Sequence, residues 1–127
     1  MADKMADKGA VRLSVPAEAR YARLVRMTVA NLAVLCDLGV EEVEDLRMIA
    51  EEGFVLSCAT HPASCDIELD FTDGRACLDF ALGDADPAEA GADLDLVRLL
   101  LEAVCDTFDV EGAMLRLTKT IGQANAR

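Results

Sequence analysis

The chain carries five cysteines but no C-x-x-C pair. Cys36, Cys58, Cys65, Cys77 and Cys105 are an odd set at irregular spacing, which excludes the paired thiols of structural zinc sites and dithiol redox motifs. They read as reduced, mostly buried small hydrophobes. No apolar run approaches the roughly 20 residues that a membrane span requires. The opening "MADKMADK" lacks the apolar centre of a secretory signal, so a cytoplasmic protein with no membrane partner is expected. Basic residues are also scarce, 12 against 24 acidic ones, for a net charge of -12. Such a surface repels phosphate backbones, which argues against direct nucleic-acid binding, and attracts basic protein surfaces. No G-x-S-x-G elbow, Walker loop or paired-carboxylate geometry stands out.

What is present suits one folded unit. The 127 residues are 53% hydrophobic, enough for a single buried core. One domain is expected over 10–121, between a flexible N-terminal tail, 1–9, and a C-terminal tail, 122–127. The duplicated "MADK" lies in the first of these and carries no functional inference.

"VRLSV", Val11 to Val15, alternates with period two before Pro16 and reads as a strand. A first helix is expected from Ala17 to about Leu38, with Leu24, Met27, Leu32 and Leu35 facing the core and Gly39 ending it. A second runs from about Val40 to Ala59, with Glu41, Glu42, Glu44 and Asp45 in its first turns, where the macrodipole favours acids. "CDIELDF", "TDG" and "RACLDFAL" read as a hairpin turning at Asp73-Gly74. Gly83 to Asp93 reads as a loop. A third helix follows, about Leu94 to Thr107, with Leu96, Leu99, Leu100, Ala103 and Val104 on its core side, and a strand pair closes the chain. This order makes an α+β two-layer sandwich, three helices on one face of a largely antiparallel mixed sheet.

Three stretches then carry a likeness: "LVRMTVANL" in the first helix, "EEVEDLRMIAEE" in the second, and "LLLEAVCDTFDVEGAMLRLTKTI" at the end. In order and spacing they resemble the anti-sigma-factor serine kinases, a branch of the GHKL (Bergerat-fold, histidine-kinase-like) ATPases, over about Val11 to Ile121. In that family the second helix holds a glutamate as general base and, four residues later, an asparagine that holds magnesium. Glu52 matches the glutamate, and Leu56 stands where the asparagine would be. Leucine has no oxygen for a cation that demands six. The family's aspartate for the adenine amino group corresponds to Asp84, followed here by Ala85, Asp86 and Pro87 instead of glycines. Asp93 and Asp95 occupy the turn that would cradle phosphates on backbone N–H groups.

The resemblance therefore implies a regulator of bacterial transcription that sequesters its partner, with a degenerate ATP site and no cofactor. The partner would be a sigma factor or a STAS-type antagonist, with homodimerisation through the sheet. Arg26 lies where the family's first helix presents an arginine to its protein partner, and Arg23 is expected to contact the partner as well. The plainer alternative is a solvated stripe of Arg20, Arg23 and Arg26. The alternative function is an active serine kinase with an atypical magnesium site, using ATP with Glu52 as base; otherwise Glu52 is a surface glutamate beside Glu51. The charge-free "GFVLSCATH" after Glu52 is equipped to pack and not to hold phosphate, so a filled or dry groove is expected. Cys58, His61 and Cys65 lack a fourth ligand, and no metal site is expected there.

Overall fold

The computed structural model describes residues 10–90 and 93–122. Of the two expected tails only Gly122 falls within them; 1–9 and 123–127 lie outside, as do Gly91 and Ala92 of the expected loop.

Strand β1 (Ala10–Val15) leads through a 3-10 turn (Ala19–Tyr21) into helix α1 (Ala22–Leu35) and helix α2 (Val40–Ala59). The hairpin β2 (Cys65–Thr72) and β3 (Arg75–Ala81) follows. A second 3-10 turn (Pro87–Ala90), helix α3 (Leu94–Val104), and strands β4 (Thr107–Glu111) and β5 (Met114–Thr120) complete the described chain. The strands form one sheet in the order β1-β2-β3-β5-β4. Every pair is antiparallel, so the mixed sheet expected from the sequence is corrected: among the described residues there is no parallel pair. The two-layer α+β sandwich with three helices is as expected.

Register builds the core. On the helix side, Val11, Leu69, Leu78, Leu117 and Phe108 lie opposite one another across all five strands, and so do Leu13, Ile67, Phe80, Leu115 and Val110. The central three of each row are buried, and α2 lies over them. Because side chains alternate along a strand, the same register sends a charged row to the open face: Arg12, Glu68, Asp79, Arg116, Asp109. Arg12 pairs with Glu68 at 2.9 Å. Arg116 grips Asp79 through two bonds of 2.8 and 2.9 Å, leaving Asp79 only 8% exposed on a face that no second layer of the described residues covers.

The hairpin turn is as read: Asp73 and Gly74 both take positive φ, 56° and 74°, the conformation that two-residue hairpin turns use. Helix α2 has the expected bounds. At its start the Glu42 carboxylate accepts from Gly39 N (3.0 Å) and from Gly122 N (2.7 Å), so one side chain ties the helix to the end of β5.

The other helices differ from expectation in phase and length. Helix α1 begins at Ala22, because Glu18 is extended and a 3-10 turn intervenes. Its buried residues are Val25, Val29 and Ala33, an i, i+4, i+8 line of small side chains that lets α1 approach α2 closely. Leu24, Met27 and Leu35, expected in the core, are exposed; Leu32 is half-buried. Helix α3 ends at Val104, where Cys105 turns extended (ψ 148°) to start the descent into β4. It buries Val97 and Leu101, while Leu96, Leu99 and Ala103 of the expected core side face out. Both helices carry apolar residues on two faces, and only packing against α2 selects one. The cysteines are free thiols, with Cys65 buried, Cys58, Cys77 and Cys105 half-buried and Cys36 exposed, so burial is less general than expected.

Asp79→Ala leaves Arg116 without the carboxylate that fixes it across two strands. A loss of about 1–3 kcal/mol is expected. Urea denaturation of the variant measures it, and an unchanged midpoint would mean that the pair is only a surface contact.

Candidate functional site

The second half of α2 is where the residues of interest gather. Glu51 and Glu52 sit half-buried at its middle, facing α1. Arg26 of α1 reaches across and bonds Glu51 at 3.0 Å, so the arginine expected at a partner surface is turned inward and holds the two helices together. Arg23, one turn earlier, is exposed and has no ion pair among the described residues. Glu44 pairs with Arg47 (2.9 Å) and Asp45 with Lys119 (3.2 Å). Arg26, Glu44, Asp45, Arg47, Glu51 and Glu52 line one cleft of about 340 Å³ between the helices. Among the described residues Glu52 is its only carboxylate without a cation partner. Burial, then the neighbouring Glu51 charge, pushes its carboxyl above the usual range. In the same cleft the Nε atoms of Arg26 and Arg47 are buried without an acceptor.

Beyond Glu52 the charge-free run enters the core, as its composition implied. Phe54, Ser57 and Ala59 are buried, and Val55, Leu56 and Cys58 pack against them half-buried. Leu56 presents no oxygen, and no other ligand replaces one: among the described residues no three His, Cys, Asp or Glu side chains gather as a metal site. That includes Cys58, His61 and Cys65. Burial raises the Cys58 thiol to about 11, far from a thiolate at neutral pH.

At Gly53 the helix backbone comes close to the sheet. A Cβ there would stand 2.6 Å from the Phe80 ring, which is itself fully buried and has nowhere to retreat. The end of α2 is then stitched to the chain that leaves β3. Ser57 Oγ donates to Ala81 O at 2.6 Å, and Thr60 Oγ1 accepts from Gly83 N at 2.8 Å. Ala85 N donates to Thr60 O at 3.0 Å. Past this seam the 3-10 turn Pro87–Ala90 lies against α2. Neither Ser57 nor Thr60 was singled out from the sequence. A helix ending in small hydroxyl residues was the available signal, since buried hydroxyls need backbone partners.

Asp84 is exposed and lines a different depression, with His61, Pro62, Ser64 and Gly83. It shares no lining residue with the Glu52 cleft. Asp93 caps α3, its Oδ1 accepting from Leu96 N at 3.1 Å. A carboxylate thus already takes the position at the helix N-terminus that an anion would seek. The arrangement can hold a cation or a basic side chain at Glu52, and it offers no second carboxylate free to share a metal.

Comparison with known proteins finds no family model and no curated protein that matches this sequence.

Two outcomes follow from this geometry. Glu52 titrates higher folded than unfolded, so its ionisation opposes folding at neutral pH, and the penalty fades as pH falls through the folded value. Glu52→Gln is expected to melt above the parent at pH 7 and to converge with it near pH ~4. Thermal melts across that range check this, and a lower melting point at pH 7 would reveal a cation partner for the carboxylate. Gly53→Ala forces a methyl against Phe80. Overpacking of about 1–3 kcal/mol outweighs the gain of about 1 kcal/mol or less that alanine brings to a helix. A fall in the urea midpoint is expected.

Proposed function

We propose that this protein is an anti-sigma-factor-like regulator that binds and sequesters a protein partner, on a histidine-kinase-like ATPase fold whose nucleotide site has degenerated. The observation that carries the reading is the outward face of α1. Leu24 (49% exposed), Met27, Val34 and Leu35 (79% exposed) stand in solvent there, beside the unpaired Arg23. Apolar residues at helical spacing that the fold leaves uncovered suit a partner surface. Arg23 can reach that partner directly, and Arg26 presents an edge of its guanidinium at the adjoining cleft.

Three features speak against a magnesium nucleotide as cofactor. Leu56 removes a ligand, the Pro87–Ala90 turn lies on α2, and Asp93 already caps α3. The partner would be a sigma factor or a STAS-type antagonist, as the sequence resemblance implies.

The charged row on the open sheet supports homodimerisation through that face. Turned end for end against a second copy, it sets Arg12 opposite Asp109 and Glu68 opposite Arg116, with the neutralised Asp79 pair at the centre.

A second reading, an atypical serine kinase phosphorylating a STAS-type antagonist, draws on Glu52, an unpaired carboxylate with a raised pKa, the property of a general base.

Thermal unfolding with millimolar ATP or ADP and magnesium separates the two. Ligand at about a hundred times its Kd would stabilise the fold by roughly 2.7 kcal/mol, a shift of several degrees. No shift is expected. A magnesium-dependent shift, with phosphate transfer abolished by Glu52→Gln, would favour the kinase. With a sigma factor or STAS protein in hand, Leu24→Gln/Arg23→Glu is expected to weaken binding about tenfold or more, a change of about 1.4 kcal/mol. Unchanged affinity would remove α1 as the surface.

A further inference from the structure

Helix α3 carries its charges along one stripe and more leucine than the core takes up. Of its eleven residues only Asp95, Arg98 and Glu102 are charged, yet only Val97 and Leu101 are buried. Leu96 is 50% and Leu99 65% exposed. The strand that runs back from it, β4, leaves Val110 56% exposed on the helix side, at the outer end of a core row. Exposed apolar side chains grouped on one edge of a domain mark an interaction surface.

The charge around it names the kind of cover. From Gly83 to Glu111 the chain holds nine carboxylates and one cation, Arg98. That cation is already spent: it bonds Glu102 at 3.1 Å and stacks over Phe108 at 5.2 Å. Asp93, Asp95 and Glu102 are exposed on or beside the helix that carries these leucines. A second copy docked here would set these carboxylates against their own kind, which disfavours self-association at this edge.

We propose that the α3–β4 edge is a docking surface for a basic amphipathic helix of another protein, separate from the α1 face. The partner's apolar stripe would cover Leu96 and Leu99, and its flanking Lys or Arg side chains would meet Asp93 and Asp95. Both helices pack against α2 and the two faces share no residue, so two proteins can be held at once.

The test uses the full chain and a labelled Leu/Lys amphipathic peptide of about fourteen residues, followed by fluorescence anisotropy, with a Leu/Glu peptide of the same pattern as control. Binding of the Leu/Lys peptide alone is expected, weakening between about 50 and 200 mM salt. Leu96→Gln/Leu99→Gln, a surface change to a good helix former, should weaken it about tenfold or more, and Leu24→Gln/Met27→Gln should leave it unchanged. Absence of binding, or loss caused by the α1 pair and not the α3 pair, overturns the proposal. So does a wild-type dimer in sedimentation velocity that the α3 pair converts to monomer, since the occupant would then be a second copy. Failure here leaves the α1 reading untouched, because that surface is varied separately.

Discussion

Gly53 of α2 rests against the fully buried ring of Phe80, and the rest of the molecule is arranged around that contact. Without a side chain at this position the helix can lie close over β2, β3 and β5, so that Ile49, Ala50 and Phe54 meet the two apolar rows of the sheet. Helix α1 packs along α2 through Val25, Val29 and Ala33, and α3 flanks it through Val97 and Leu101. Polar ties then hold the margins. Glu42 binds the end of β5, Lys119 reaches from β5 to Asp45 and to Val104 O, and Ser57 and Thr60 bind the chain leaving β3.

That closeness has a functional side. The half of α2 that follows Glu52 is spent on packing, and the segment after β3 is bonded down beside it. Chemistry at Glu52 would have to proceed with one free carboxylate and two arginines that each already bind another glutamate through Nη1. What the fold leaves open are surfaces: an apolar face on α1, another on α3, and a sheet face whose charges are ordered by register. These surfaces are what the proposed binding role draws on. Its acidity is also unevenly placed, gathered between Gly83 and Glu111, so that an overall charge of -12 becomes a local field at one edge.

Much of the framework was legible in advance. The hairpin, with Ile67, Leu69 and Phe71 alternating against acids, and α2 with its acidic first turns, were read with their observed positions. So was the character of the run after Glu52, because nine residues without a charge have little use outside a core. The phases of α1 and α3 were not legible. Each has apolar residues on two faces, and periodicity marks amphipathicity without choosing between stripes. Arg26 and Arg23 looked alike in the sequence; the crossing of α1 and α2 turned one inward to Glu51 and left the other outside.

By itself, then, the order of residues determined where the chain bends, which segments become helix or strand, and that the surface is acidic. These follow from forces acting within a few residues: alternation, turn conformation, charge at a helix end. The tertiary structure decided which leucines are core and which are exposed, and which arginine is held. It also decided that Asp79 lies buried on an open face, and that Glu52 and Asp84 line separate depressions. Those outcomes depend on which distant element arrives alongside, and on whether a gap such as that at Gly53 lets it come close.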